Sequence, residues 1–343
     1  MRLSHLLRSL PLAIGVLTLT LSPAALHAAD KIKLTGAGAS FPAPLYQRWF
    51  RDYFRAHPEV HVDYQAIGSG AGITNFVEGR LDFAGSDLRL TSEGAEGVEG
   101  GVVQIPMAAG AVVMAYNLPG VEDLRLSREA LAGIFLGKAE RWDDPLIRAS
   151  NEGVELPSTP ITVVTRVDSS GTSFIVTRHL SAISAELAET VGVGMTPEWP
   201  RILKERGALI RGRGNGGVAA YIRAVPGAVG YVQYAYAHHT DIKMASLQNQ
   251  AGEFVPPSSD AFKAAVESFQ AELDLTQVAD PRAAGAYPIL TLSWLIARRD
   301  YDDPRKTEVL KDVIRYCLTE GQEVAGRLGY IPLTEQAVRL ILQ

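Results

Sequence analysis

Arg166, Asp168, Ser170 and Thr172 follow one another closely enough to hold a tetrahedral anion together. A β-rich run, Ile161 to Arg166, passes through Val167-Asp168-Ser169 into Ser170-Gly171-Thr172-Ser173, where a strand should hand over to a helix. The first backbone N–H groups of a helix have no intrahelical partner, and the aligned peptide dipoles add positive potential there. Arg166 can grip an oxyanion with two parallel N–H···O bonds while Asp168 steers the guanidinium. Ser170 and Thr172 can add neutral donors. The same residues also fit a plain strand-turn-helix junction with an Asx or Ser cap, and the segment alone leaves both readings open.

The elements around it repeat the arrangement. Strands at Ile32 to Thr35, Val60 to Ala66 and Leu81 to Ala84, with helices at Ala43 to Ala56 and Gly72 to Glu78, read as βαβαβ and predict a parallel sheet covered by helices. Each strand runs into residues that bring backbone N–H groups and hydroxyls to a crevice. These are Gly36-Ala37-Gly38-Ala39-Ser40-Phe41, Gly68-Ser69-Gly70-Ala71-Gly72 and Gly85-Ser86-Asp87. Ligands of open α/β sheets bind outside the carboxyl ends of the strands, so the three turns should converge on one site. None carries a dinucleotide Gly-x-Gly-x-x-Gly with its later acidic partner or a Gly-Lys-Ser/Thr ending, which points to a small free anion rather than a nucleotide.

Further along, Val102 to Pro106 and Gly110 to Leu118 read as a second apolar β region. Helices are expected at Arg128 to Leu136, Gly217 to Ala224, near Ala261 to Glu272, at Lys306 to Leu318 and at Gln322 to Leu328. Strands are expected at Ala228 to Gln233 and Pro288 to Ala297. Gly194 to Gly217, rich in Arg, Gly and Pro, predicts a long surface loop.

Arg2 and Arg8 precede an apolar run from Leu10 to Leu21 and small residues ending at Ala28-Ala29, the layout of a cleavable secretory signal. The run is short for a membrane span. Cleavage is expected after Ala28, or failing that after Ala29, and no cysteine follows to carry a lipid. The formal net charge is −5, and losing Arg2 and Arg8 with the leader lowers it by two, to −7. A basic nucleic-acid binder is thereby excluded, and an anion must be held by local donors rather than by a global field. The chain has 343 residues, enough for two domains with real cores, and 47% are hydrophobic. The single cysteine, Cys317, lies among apolar helical residues and reads as a buried thiol. His238-His239 lacks metal-ligand spacing, and Trp142, Trp199 and Trp294 read as packing anchors.

Taken together, Thr35 to Pro44, Tyr64 to Ser69, Gly85-Ser86-Asp87, Trp142-Asp143-Asp144, Arg166 to Phe174 and Pro226 to Tyr231 resemble the periplasmic phosphate-binding proteins of high-affinity ABC phosphate importers, in order over nearly the whole mature chain. The resemblance implies a class II periplasmic binding protein fold, with two α/β lobes, each a mainly parallel sheet flanked by helices, two hinge crossovers and a cleft that shuts on one phosphate. Lobe I would comprise residues 29–107 and 287–343, and lobe II residues 108–286, after a leader of residues 1–28. Phosphate contacts would fall on Ser40, Phe41, Ser69 and Asp87 from one lobe and on Arg166, Ser170, Gly171 and Thr172 from the other. Phe41 and Gly171 would act through backbone N–H groups, with Asp168 holding the arginine in place.

The resemblance further implies a monomeric, non-enzymatic receptor in the periplasm, with no cofactor or metal, delivering inorganic phosphate to a membrane permease. Ser40 stands where threonine is frequent in the family, Arg89 where proline is common, and Arg201 to Arg211 looks like an insertion. Two other functions fit parts of the pattern. One is an exported phosphoester hydrolase with Ser170 as nucleophile and Asp87 or Asp168 as base, although no Gly-x-Ser-x-Gly elbow accompanies it. The other is the same fold holding sulfate, molybdate or tungstate.

Overall fold

The computed structural model describes residues 31–269 and 280–343. The expected leader, and the end of the helix expected near Ala261 to Glu272, fall outside them. The strands are β1 (Ile32–Gly38), β2 (Val60–Ala66), β3 (Phe83–Ser86), β4 (Val102–Tyr116), β5 (Arg125–Leu126), β6 (Thr162–Arg166), β7 (Leu209–Gly212), β8 (Ala228–Gln233), β9 (Lys243–Met244), β10 (Ser246–Gln248), β11 (Phe254–Val255) and β12 (Leu290–Arg298). One large sheet runs β2-β1-β3-β12-β4-β8-β6-β7, with β9 added to β4, and β11-β10-β5 form a small second sheet.

The long strand β4 is shared between two α/β halves. Its residues up to Ala111 pair antiparallel with β12, whereas Val112 to Tyr116 pair antiparallel with β8. In the first half β2, β1 and β3 are parallel, and in the second β8, β6 and β7 are parallel. Met107 to Tyr116 are buried without alternation apart from size, as expected of a strand covered on both faces. The second apolar β region expected between Val102 and Leu118 is one continuous strand, Val102–Tyr116, which also runs through Met107 to Ala109. Pro106 sits inside it opposite a register shift between Ser293 and Trp294 of β12, an irregularity at which a missing N–H is tolerated.

Helices cover the sheet by burying one stripe each. Ala43–Ala56 starts with Pro44 in its first turn and buries Leu45, Tyr46, Trp49, Phe50 and Tyr53, a helical spacing, and the Trp49 indole donates to the Gly321 carbonyl at 2.6 Å. Trp142 is likewise a packing anchor, buried and donating to the Gly227 carbonyl at 3.0 Å. Cys317 is a buried free thiol on the helix Pro304–Leu318, and burial pushes its pKa well up.

The expectation of a surface loop from Gly194 to Gly217 is wrong. The segment holds the helix Arg201–Glu205, the strand β7 and the start of the helix Gly214–Ala224. Leu203 and Trp199 are buried, and β7 extends the second half as a parallel neighbour of β6, from Val163↔Leu209 to Arg166↔Gly212. An edge strand covers only one flank and tolerates the exposed Arg211, so its short apolar signal is diluted by charge.

Candidate functional site

The carboxyl ends of β1, β3, β6 and β7 deliver their loops to one buried crevice. Past β1, three tyrosine hydroxyls donate to successive carbonyls: Tyr64 to Ala39 at 2.8 Å, Tyr236 to Ser40 at 2.6 Å and Tyr330 to Phe41 at 2.6 Å. Burial raises the pKa of each phenol, so all three stay neutral donors. The Phe41 ring is packed edge-on against Tyr330, with centroids 6.2 Å apart, which leaves only its main chain for the crevice. Past β2, the helix Ser69–Val77 begins at Gly68, and Ser69 Oγ accepts from the Gly171 N–H at 3.2 Å.

Past β6, the helix Gly171–Ile183 is capped by Ser170, whose Oγ accepts from the Ser173 N–H at 3.1 Å. Gly171 approaches the opposite wall so closely that a Cβ there would lie 2.7 Å from Asp87 Cβ and 2.7 Å from Ser69 Oγ. Only glycine permits this contact. Thr172 Oγ1 donates to Asp87 Oδ2 at 3.3 Å, and the Gly70 N–H donates to the Ser169 carbonyl at 3.2 Å. Elements of the two halves thus touch directly across the crevice.

Arg166 and Asp168 are both almost wholly buried. Nε and Nη2 of the guanidinium donate to Asp168 Oδ1 and Oδ2 at 2.9 and 2.5 Å, and the Gly214 N–H adds a third bond to Oδ1 at 2.9 Å. Burial pushes the Asp168 pKa up, but the Arg166 hydrogen bonds and charge, with the Gly214 N–H, outweigh it and hold the carboxyl below its ordinary value. Asp168 therefore remains an anion, and the fork is locked in one orientation. Nη1, the nitrogen turned away from Asp168, is buried with no partner among the described residues.

Asp87 is the opposite case. Burial raises its pKa to about 7, against the lowering effects of the Arg166 charge and the Thr172 hydroxyl. Its Oδ1 is buried with no partner among the described residues. A buried site that offers a fixed donor, Nη1, and an unmatched carboxyl oxygen is built for a ligand that is anionic and also carries a proton.

All the residues expected at the site reach this crevice or its immediate frame. Ser69 contacts Gly171 and Thr172 contacts Asp87 directly, Ser40 joins them through Asn215, and the Arg166 charge acts on Asp87, while Ser170 caps a helix and Phe41 packs its ring into the core. Asn215, on the helix after β7, is a member that sequence reasoning missed. It is buried and donates from both its N–H and its Nδ2 to Ser40 Oγ at 2.9 Å. The signal was there: Gly212-Arg213-Gly214-Asn215 is a fourth glycine turn at a strand end, hidden by the loop assignment. Arg89, noted as a departure, stacks its guanidinium over Trp294 at 5.4 Å.

Residues 23–320 match the family model of the PBP superfamily domain. The phosphate-binding protein PstS of Xylella fastidiosa (strain Temecula1) is 36% identical over 326 residues, 93% of this chain and 86% of that protein. The protein of the same name from Pasteurella multocida is 37% identical over 313 residues, 90% of this chain and 88% of its own length. Among solved structures, a high-affinity periplasmic phosphate-binding protein (PfluDING) bound with phosphate at pH 8.5 aligns with a TM-score of 0.73 at 22% identity, covering 90% of this chain and 93% of that one. The phosphate-binding protein from Stenotrophomonas maltophilia aligns with a TM-score of 0.66 at 23% identity, covering 91% and 93%. At such identities the structural likeness speaks for the fold, that of the two-lobed periplasmic binding proteins.

Proposed function

The chain belongs to the PBP superfamily and to its PstS phosphate-binding proteins, and from that premise we propose that its crevice captures inorganic phosphate outside the cytoplasm for delivery to an ABC importer. It is a substrate-binding protein and not an enzyme. The observation that carries the site assignment is that Arg166 Nη1 and Asp87 Oδ1 are both buried with no partner among the described residues, in side chains whose charges act on each other.

Arg166 supplies the formal counter-charge, held in register by Asp168. Ser40 and Ser69 add hydroxyls, Phe41 and Gly171 add backbone N–H groups, and Thr172 lines the site with its hydroxyl turned to Asp87. The Gly171 helix points its N-terminus at the anion, with Ser170 as both cap and neighbouring hydroxyl. Asp87 takes the hydrogen of monohydrogen phosphate. Sulfate has no such hydrogen and would set acceptor against acceptor.

The switch of β4 partners between Ala111 and Val112 supports lobes of residues 29–107 with 287–343 and 108–286, joined at this strand. We place the mature protein in the periplasm after loss of residues 1–28, as a monomer whose partners are phosphate and the permease subunits. Among the described residues no helix is long and apolar enough to cross a membrane.

Calorimetric titration of the phosphate-stripped protein, run beside a phosphatase assay, tests the reading. Saturable binding of one phosphate per chain with no ester hydrolysis is expected. Hydrolysis abolished by Ser170→Ala would instead establish the exported phosphoester hydrolase.

A further inference from the structure

The direction in which each crevice hydroxyl points its hydrogen decides whether it can hold an anion. Asn215 controls two of these directions. It lies in the first turn of the helix Gly214–Ala224 and is fully buried. Its amide has one possible orientation: the Gln233 N–H reaches one end at 2.8 Å, and because a main-chain N–H only donates, that end is Oδ1. Nδ2 then gives its two hydrogens to Ser40 Oγ at 2.9 Å and, more weakly, to Thr172 Oγ1 at 3.4 Å.

The Asn215 N–H reaches the same Ser40 oxygen, also at 2.9 Å. A serine hydroxyl accepts at two positions and donates once. With both acceptor positions filled by Asn215, the Ser40 hydrogen is committed to donation. Thr172 Oγ1, accepting from Nδ2, sends its own hydrogen to Asp87 Oδ2 at 3.3 Å.

We infer that Asn215 is a positioning residue that makes Ser40 a dedicated donor to the bound anion and Thr172 a dedicated donor to Asp87. The inference rests on the phosphate reading of the crevice. The chain of bonds runs one way, from the Gln233 N–H through the Asn215 amide to two hydroxyls, and each hydrogen ends on an anionic oxygen or a carboxyl. Asn215→Asp reverses it. An aspartate keeps the Gln233 bond but has no hydrogens for Ser40 and Thr172, so the Ser40 hydroxyl turns onto it and away from the ligand, and the Thr172 hydroxyl turns onto it and away from Asp87. The charged groups in contact with this cluster are Asp87, through Thr172, and the Arg166–Asp168 pair, through the Gly214 N–H.

The test is calorimetric titration of the full mature protein, stripped of phosphate, with orthophosphate. The proteins are the wild type, Ser40→Ala, Asn215→Ala, their double variant and Asn215→Asp, each at pH 5 and pH 8, with circular dichroism melts to confirm folding. Asn215→Ala should weaken binding about tenfold or more in the wild-type background, and by a much smaller factor once Ser40 is alanine, because its main target is gone. Asn215→Asp should weaken binding beyond Asn215→Ala, and more at pH 8 than at pH 5 as the new carboxyl ionises. It preserves the Gln233 contact and carries the test alone if the alanine variant does not fold.

Additive losses for Ser40→Ala and Asn215→Ala, or an Asn215→Asp loss that does not change with pH, overturn the inference while the wild type still binds phosphate. A wild type that binds no phosphate overturns the crevice reading and this inference with it.

Discussion

Arg166 and Asp87 carry opposite burdens at the residue scale. Removing Arg166 leaves a desolvated dianion beside Asp87 and Asp168 without its buried counter-charge, and truncating one member of a buried charge pair typically costs about 2–5 kcal/mol. Arg166→Ala should therefore weaken phosphate binding by at least about a hundredfold, and Arg166→Lys should recover only part, having charge but no fork to satisfy Asp168 and ligand together. Near-wild-type affinity of the alanine variant in calorimetry would remove Arg166 from the site. Asp87, with its pKa raised to about 7 by burial, sets selectivity and its pH limit. Above that pH it is a bare acceptor and should disfavour sulfate relative to phosphate by a factor that grows with pH. Below it, the protonated carboxyl can donate to sulfate. Wild-type sulfate affinity should thus fall about tenfold per pH unit on rising above neutrality and level off on the acid side. Asp87→Asn, whose amide donates at every pH, should bind sulfate without this slope. Competitive titration checks both, and a flat wild-type sulfate profile would contradict the role given to Asp87.

The helix N-termini and strand ends explain, at the element scale, what was legible in the sequence. Ala43–Ala56, Val60–Ala66, Arg128–Leu136 and Ala228–Gln233 form where their periodicity places them, because each buries apolar side chains. The Arg166 to Thr172 segment and the three glycine turns were legible because hydroxyls and glycines at strand ends have few other uses. The helix read as beginning at Gly72 starts earlier, at Ser69. Its glycines lower helix propensity, yet a Cβ on Gly72 would sit 2.5 Å from Gly38 Cα, so close packing against β1 overrides propensity. Asn215 was hidden by the same kind of conflict, since β7 is a short edge strand flanked by arginines. Nothing local in the sequence reveals that its helix start faces Ser40. The close approach of the Gly171 helix gives a direct prediction. Gly171→Ala places a methyl against Asp87 and Ser69 and should cut phosphate affinity about tenfold or more, while the melting temperature without phosphate changes little. Unchanged affinity would show that the two walls need not meet for binding.

At the scale of the whole molecule, the contacts divide between two halves that share β4. Ser40, Ser69 and Asp87 come from one half, and Arg166, Gly171, Thr172 and Asn215 from the other. A ligand touching both gains affinity only when they meet, so phosphate should favour the closed arrangement. Small-angle scattering should show a smaller radius of gyration with phosphate than after stripping, and superimposable profiles would argue against closure. The most direct measurement is a crystal structure of the phosphate-loaded protein at a resolution that separates the phosphate oxygens. One tetrahedral anion should lie within hydrogen-bond distance of Arg166 Nη1, Ser40 Oγ and the Gly171 N–H, with one of its oxygens against Asp87 Oδ1. An anion seated away from the Arg166–Asp87 pair, or one whose oxygens all avoid Asp87, would contradict the assignment of this crevice as a phosphate site selected through a shared proton.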